Sequence, residues 1–185
     1  LRKMTNHDAT IDALLTSLDA RKAEGAPLPA LLQAAIRGLH ESDNRFDWTG
    51  IYELGSDGIL HLGPYVGAAT EHTEIPVGRG ICGTAVAEKR DLNIPDVREV
   101  GNYLACSLQT RSESVVLIRE GDTIFAQIDI DSHTVNAFDA AATAKVERVA
   151  AWLARAYAKD HDETRAWWRS VRGRWTRTTG TDPTF

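Results

Sequence analysis

The chain carries two cysteines, Cys82 and Cys106, whose surroundings differ. Cys82 lies in the segment Gly80-Ile81-Cys82-Gly83-Thr84, just before a predicted helix, and a helix N-terminus favours a reactive thiolate. Cys106 comes shortly before the polar residues 109–112, which are typical of a loop, and loops on a rigid sheet often carry reactive groups. Taken alone, Cys82 is more simply interpreted as a buried structural thiol. For Cys106, the local sequence fits a buried structural thiol and a reactive thiol about equally well.

Carboxylates form the second group of candidate residues. Glu113 follows the polar stretch, and Asp129 and Asp131 are two residues apart in a segment that reads as a strand. Alternate residues of a strand share a face, and like charges on one face cost free energy unless a cation, a metal or a proton relieves them. The acids are therefore candidates for holding an ammonium group, a metal or a proton. A metal is less favoured, because no histidine has ligand spacing to them. Asp131 could instead be a turn residue, since Ser132 and His133 follow it.

Two aromatic residues add a possible apolar wall. Trp48 and Tyr52 are four residues apart in a predicted strand, so that their side chains share a face. Such residues more often belong to a core. They would contribute to a binding pocket only if their face lined the same cavity as the acids.

Hydrophobic periodicity predicts the elements that position these residues. Helices are expected over residues 8–23, 28–40, 84–89 and 139–159, with Asp139 as the N-cap of the last. Strands are expected over residues 48–54, 59–62, 74–77, 92–94, 114–119 and 123–131, and Gly63-Pro64 is expected to end the second of them. This order of elements, with helices first, then a mostly antiparallel sheet and then a long helix, predicts an α+β domain.

Length and composition exclude several classes of protein. The chain has 185 residues, 43% hydrophobic and 25% charged, which fits one folded domain and not a disordered chain. The net charge of −5 argues against nucleic acid as the main partner. No apolar run has the length of a membrane span, no secretory signal is recognisable, and two cysteines do not make a disulfide framework. We therefore expect a cytoplasmic protein that binds neither nucleic acid nor membrane.

Several motifs occur together in an order that resembles a known family. They are Trp48-Thr49-Gly50-Ile51-Tyr52, Gly63-Pro64-Tyr65, the glycine-rich segment 78–85, Asp96-Val97, Leu104-Ala105-Cys106, Ser112-Glu113 and residues 129–132 followed by Phe138. The set resembles the free methionine-(R)-sulfoxide reductases, which are single GAF domains, and the resemblance runs from about Phe46 to Leu153. Cys106 follows Cys82 by 24 residues, Glu113 follows Cys106 by 7, and Asp129 comes 16 later, as in that family.

The resemblance implies a fold and a set of roles. It implies a single GAF domain with a central antiparallel sheet and with the N- and C-terminal helices packed on one side. Cys106 would be the catalytic cysteine that attacks the sulfoxide, and Glu113 the acid that donates a proton. Asp129 and Asp131 would hold the amine of the substrate. Trp48 and Tyr52 would enclose its methyl-sulfoxide end.

The resemblance also implies how the enzyme is recycled. The common form of the family has a further cysteine between Gly67 and Ile75, whereas this chain has none there. Cys82 is then the intramolecular partner for a disulfide with Cys106, which thioredoxin or a similar dithiol would reduce. No cofactor and no metal are expected. The alternative is a non-catalytic GAF sensor or binding module that keeps the pocket.

The chain is expected to divide into three regions. Residues 1–44 would form N-terminal helices, residues 45–160 the GAF domain with its long C-terminal helix, and residues 161–185 a tail rich in tryptophan and arginine. We expect Trp167, Trp168 and Trp175 to pack on the domain or on a second copy, because an amphipathic helix buries its apolar face. The resemblance to GAF domains implies a homodimer.

Overall fold

The computed structural model describes the backbone of residues 6–101 and 108–179 and the side chains of residues 9–101 and 108–161. Within these ranges the chain forms six strands and four α-helices, besides a short 3₁₀ helix over Val97–Glu99. In chain order they are α1 (Asn6–Ala23), α2 (Leu28–Glu41), β1 (Trp48–Leu54), β2 (Ile59–Val66), β3 (Glu74–Pro76), α3 (Gly80–Glu88), β4 (Leu92–Ile94), β5 (Ser112–Glu120), β6 (Thr123–Ser132) and α4 (Ala140–Thr179). No helix in the described part is long and apolar enough to cross a membrane.

The strands form one sheet, in the order β3-β2-β1-β6-β5-β4, and every neighbouring pair is antiparallel. Helices α1, α2 and α4 cover one face, where they share a core with Ile51, Ile128 and Ile130. Helix α3 packs on the other face, against Tyr52, Val115 and Leu117. The predicted α+β class is confirmed, as is the packing of the N- and C-terminal helices on one side.

Strand β2 is longer than the sequence predicts. It continues to Val66, although Gly63-Pro64 is expected to end it. Along β1 the pairing with β2 moves from Tyr52 with Leu62 to Gly50 with Tyr65, so that two residues of β2 oppose Ile51. Such a bulge accepts a proline, because no ladder hydrogen bond is required from its nitrogen. The strand therefore passes through the two residues, and the predicted end is wrong.

Helix α3 begins at Gly80, earlier than the predicted start at Thr84. A Cβ atom on Gly83 would collide with the carbonyl oxygen of Pro76, so only glycine lets the helix approach the end of β3 this closely. The backbone N–H of Gly78 donates to the carbonyl of Gly83 at 2.8 Å and fixes this contact. Cys82 thus lies inside the first turn of α3, and the expectation that it precedes the helix is wrong.

Helix α4 has the predicted start and a later end. The side chain of Asp139 accepts a hydrogen bond from the backbone N–H of Ala142 at 2.8 Å, which confirms it as the N-cap. The backbone of α4 continues to Thr179, well beyond the expected end near Lys159. The side chains of Trp167, Trp168 and Trp175 lie outside the described residues, so their packing stays a prediction, as do the three proposed regions of the chain.

A buried ion pair joins the turn that follows α2 to helix α4. The Nζ of Lys145 lies 2.8 Å from Oδ2 of Asp43, and both side chains are almost fully buried. Arg45 contacts the same carboxylate at 2.8 Å and donates to the carbonyl of Ala137. Hydrogen bonds from Arg45 and Lys145 hold the pKa of Asp43 well below its usual range, although burial opposes this. The charge on Asp43 therefore stabilises the fold above about pH 4 and ceases to do so in stronger acid.

Lys145→Met should destabilise the protein by about 3 kcal/mol, because it leaves the Asp43 carboxylate buried with only Arg45 as its partner. Urea unfolding at pH 7 measures the loss. Arg90→Ala is the matched control: it removes an exposed ion pair with Glu88, and we expect less than about 1 kcal/mol. Equal losses of unfolding free energy in the two variants would show that the buried ion pair stabilises the fold no more than the exposed one does.

Candidate active site

The register of three strands brings the predicted acids and aromatics onto one face of the sheet. Asp131 of β6 lies between Trp48 of β1 and Glu113 of β5. Two residues further along each strand, Asp129 pairs with Gly50. After two more residues, Gln127 pairs with Tyr52. The period-2 spacing of Asp129 and Asp131 does place them on a shared face. Asp131 lies within β6 and is 2% exposed, so its interpretation as a turn residue is wrong.

Helix α3 brings Cys82 against this acidic face. Its Sγ donates to Oε1 of Glu113 over 3.9 Å, and one donor atom from each of Cys82, Glu113 and Asp129 lies within 4.8 Å of the others. Cys82 is 4% exposed, Glu113 3% and Asp129 0%, so the contact is shielded from bulk water. The structure therefore joins one of the two predicted cysteines to two of the predicted acids.

Burial governs the electrostatics of these acids. Burial raises the pKa of Glu113 well above its usual range, and the charges of Asp129 and Asp131 add to this, while the Cys82 thiol opposes it. Burial also raises the pKa of Asp129 to about 7, with the Cys82 thiol again acting in the opposite direction. The pKa of Asp131 is raised by burial and then by the charges of Asp129 and Asp47. Within residues 9–101 and 108–161, no cationic side chain contributes to the pKa of any of the three.

Such a cluster holds protons or binds a cation near neutral pH. Apart from the adjacent Cys82 thiol, no described residue offers a hydrogen bond to either carboxylate oxygen of Asp129 or to Oδ1 of Asp131, although all three atoms are buried. A buried carboxylate without a partner is costly, so a ligand with donor groups would be held strongly here. A protonated carboxyl can also act as a general acid. The arrangement can therefore bind an ammonium group and supply a proton.

Trp48 and Tyr52 form an aromatic wall on the same face. Their rings stack at 6.3 Å, and Trp48 also stacks on Tyr65 at 5.5 Å. The polar atoms of both are engaged, since Trp48 Nε1 donates to the carbonyl of Ala68 and the Tyr52 hydroxyl to that of His72. Gly50 leaves room for the Trp48 ring, with which a Cβ atom at this position would collide. The two side chains therefore hold the loop between β2 and β3 and present only ring surface to the face with the acids.

A cavity of about 140 Å³ opens beside the wall. It is lined by Asp47, Trp48, Ala68, Gln109, Thr110, Asp131 and His133. Asp47, Thr110 and His133 are not predicted as site residues from the sequence, because they belong to loops whose residue spacing carries no signal. Asp47 Oδ2 accepts a hydrogen bond from the backbone N–H of His133 at 2.7 Å, which connects the starts of β1 and of the loop after β6.

Cys106 lies in residues 102–107, outside the described part of the chain. Gln109 and Thr110, which come shortly after it, line the cavity next to Trp48 and Asp131. The chain therefore lines this cavity from Gln109 onward, and the loop position of Cys106 stays a prediction.

Comparison with known proteins identifies the fold family. Residues 27–157 match the model of the GAF domain family, and they make up most of the chain. The chain belongs to the GAF domain family. The resemblance drawn from the motifs is confirmed by relatives that carry the name free methionine-R-sulfoxide reductase.

Three proteins that carry this name show how similar the chain is to them in sequence and in fold. The free methionine-R-sulfoxide reductase of Escherichia coli is 37% identical over 100 residues, which are 54% of this chain and 59% of the relative. The type II enzyme of Thermoplasma acidophilum is 37% identical, with a TM-score of 0.66 over 69% of this chain and 90% of that one. The enzyme of Neisseria meningitidis, in complex with its substrate, is 26% identical, with a TM-score of 0.76 over 87% of this chain and 96% of that one.

Proposed function

We propose that the chain is a thiol-dependent oxidoreductase that reduces free L-methionine-(R)-sulfoxide to methionine. The observation that carries the proposal is the buried contact of Cys82 with Glu113 and Asp129 on the face that also holds Asp131. Relatives that carry the name of this activity share the GAF domain. No cofactor enters the proposal, because two thiols and a carboxyl group suffice for the chemistry.

The reductive step belongs to Cys106. Its thiolate sulfur attacks the sulfoxide sulfur while Glu113 donates a proton to the sulfoxide oxygen; the resulting hydroxyl group then passes from the substrate sulfur to the Cys106 sulfur as the bond between the two sulfurs breaks. The substrate sulfur is reduced, methionine leaves, and Cys106 is oxidised to a sulfenic acid that carries the oxygen. Burial of Glu113 supports this role, since it raises the pKa of the carboxyl group and so favours its protonated form.

The second step regenerates the thiol. Cys82 condenses with the Cys106 sulfenic acid, so that a disulfide forms and water is released. A thioredoxin-like dithiol then reduces the disulfide by thiol–disulfide exchange. Cys82 lies beside Glu113, the proposed acid of the first step, and this contact supports a role for Cys82 in the same reaction cycle.

Recognition of the free amino acid belongs to Asp129 and Asp131. Their buried oxygens without partners among the described residues would accept hydrogen bonds from the α-ammonium group. A methionine sulfoxide inside a peptide has no such ammonium group and leaves these oxygens buried without a partner. The rings of Trp48 and Tyr52 would then enclose the methyl-sulfoxide end.

A second candidate function is a GAF module that binds a small molecule without converting it. One observation favours it: residues 68–74 contain no cysteine, where the common form of the reductase family has one. In either case we propose a homodimer in the cytoplasm; the thioredoxin-like partner belongs to the enzyme alone.

Turnover of racemic free methionine sulfoxide tests the proposal. The reduced protein is incubated with the racemate and dithiothreitol, and methionine and both epimers are separated and quantified. We expect methionine to form and only the R epimer to be consumed, while a peptide with an internal methionine sulfoxide is left unchanged. Saturable binding of the racemate without any methionine would support the binding module instead.

Cys82→Ser should affect turnover differently with the two reductants. With thioredoxin we expect a loss of about tenfold or more, because thioredoxin exchanges with a disulfide that the variant cannot form. With dithiothreitol, a small thiol that reaches the sulfenic acid directly, we expect a loss below about threefold. Initial rates under saturating reductant measure both. Equal rates for parent and variant under thioredoxin would refute the resolving role of Cys82.

A further inference from the structure

Three donor atoms from three different elements lie close together on the face of the sheet that carries the acids. They are Sγ of Cys82 in α3 and one carboxylate oxygen each of Glu113 in β5 and Asp129 in β6, all within 4.8 Å of one another. All three residues are buried. Because they come from separate elements, the tertiary fold holds them together, and no local motif does so.

The oxygens of Asp129 provide an independent indication of a ligand. Both are buried, and apart from the adjacent Cys82 thiol no described residue donates a hydrogen bond to them; Oδ1 of Asp131 is buried without a donor among the described residues. No cationic side chain in the described ranges forms an ion pair with these acids. Buried carboxylates in such a setting require a proton or a cation.

We infer that the reduced protein binds a thiophilic divalent cation of the Zn²⁺ type through Cys82, Glu113 and Asp129. One thiolate and two carboxylate oxygens are a donor set that zinc accepts, whereas Mg²⁺ and Ca²⁺ take oxygen ligands alone. Tetrahedral zinc with bonds of about 2.0–2.3 Å separates its ligand atoms by roughly 3.3–3.7 Å, so the three side chains need to approach one another by about 1 Å. Three protein ligands leave a fourth position for water.

The sequence disfavours a metal here because no histidine is spaced for ligation. The third ligand is instead a cysteine 31 residues before Glu113, which α3 brings into contact with it. The site is therefore visible only in the folded chain.

Binding of the metal has a consequence that rests on the proposed function. An ion on these ligands occupies the resolving thiol, the proton-donating carboxyl group and one acid that holds the substrate ammonium. The metal-bound protein is then inactive, and the ion competes with methionine sulfoxide. Zinc acts as a reversible inhibitor and has no part in the reaction itself.

Titration of the reduced full chain with Co²⁺ tests the binding directly. A bound thiolate gives Co²⁺ a charge-transfer absorption in the near ultraviolet, and Zn²⁺ added afterwards removes it. We expect one ion per chain in the parent, no such absorption in Cys82→Ser, and affinity at least tenfold weaker in Asp129→Asn. Ser114→Ala is the matched control, because Ser114 is a buried neighbour of Glu113 that pairs with Ile130 on the other face of the sheet. It should bind as the parent does.

Two outcomes would overturn the inference: no thiolate absorption in the parent, or an absorption and affinity unchanged in Cys82→Ser. An absorption lost only in Cys106→Ser would also contradict it, since the thiolate ligand would then be Cys106. Circular dichroism verifies that each variant is folded. Inhibition is measured in a single turnover of pre-reduced protein without added thiol, because dithiothreitol binds zinc. If the protein has no reductase activity, the Co²⁺ titration still decides whether the site exists.

Discussion

Replacement of Cys106 by serine should abolish methionine formation from the free R sulfoxide, with kcat/KM lower by about 10³-fold or more. Serine cannot form the sulfenic acid through which the oxygen leaves the substrate, and a hydroxyl group is a far weaker nucleophile than a thiolate. The comparison uses saturating dithiothreitol, so that recycling does not limit the rate. Cys82→Ser is the control, because it also removes one thiol but should keep most of this activity.

The pair of variants separates the two cysteines. Loss of activity in Cys106→Ser with retention in Cys82→Ser assigns the reductive step to Cys106. The reverse pattern would exchange the roles, with Cys82, which already contacts Glu113 and lies near Asp129, as the attacking thiol. Activity within about tenfold of the parent in both variants would contradict thiol catalysis altogether.

Glu113→Gln should lower kcat by about 10²-fold while it stabilises the fold. Glutamine keeps the shape of the side chain but cannot donate the proton to the sulfoxide oxygen. It also removes an ionisable group from a buried site beside two other acids, and we expect at least about 1 kcal/mol of added stability at pH 7. Steady-state kinetics and urea unfolding on the same preparations measure the two effects.

The pH dependence of that stability gain has a definite sign. Burial raises the pKa of Glu113 in the folded state above its value in the unfolded chain, so the folded parent binds more protons and loses stability as pH rises. The gain from Glu113→Gln should therefore be small near pH 4 and grow towards pH 7. Ser114→Ala, one residue along on the opposite face, should leave both kcat and this trend unchanged. A Glu113→Gln variant with parental kcat would exclude Glu113 as the proton donor.

The elements with regular periodicity were predictable, and the irregular ones were not. Strand β1 has the predicted ends, and the buried stripe of α2 from Leu31 to Leu39 follows from helical spacing. The bulge opposite Ile51 depends on how β2 pairs with β1, which no local pattern encodes. Helix α3 runs through Gly80 and Gly83, and Gly83 allows it to pack against Pro76, a role that only the tertiary contact reveals.

In the candidate site, too, only the features that follow from local periodicity are predictable from the sequence. Alternation along β6 predicts that Asp129 and Asp131 share a face, but the position of Glu113 opposite Asp131 requires the register of β5 and β6. The contact of Cys82 with Glu113 depends on the packing of α3 across the sheet. The catalytic role of Cys106 follows only from the family resemblance, since Cys106 lies outside the described residues.

A single turnover without reductant is the most direct measurement of the proposed chemistry. The fully reduced protein is mixed with excess free methionine-(R)-sulfoxide, and the methionine released and the thiols remaining are counted per chain. We expect one methionine per chain, the loss of both thiols, and a disulfide between Cys82 and Cys106 in the peptide map. A protein that keeps both thiols and releases no methionine would contradict the reductase.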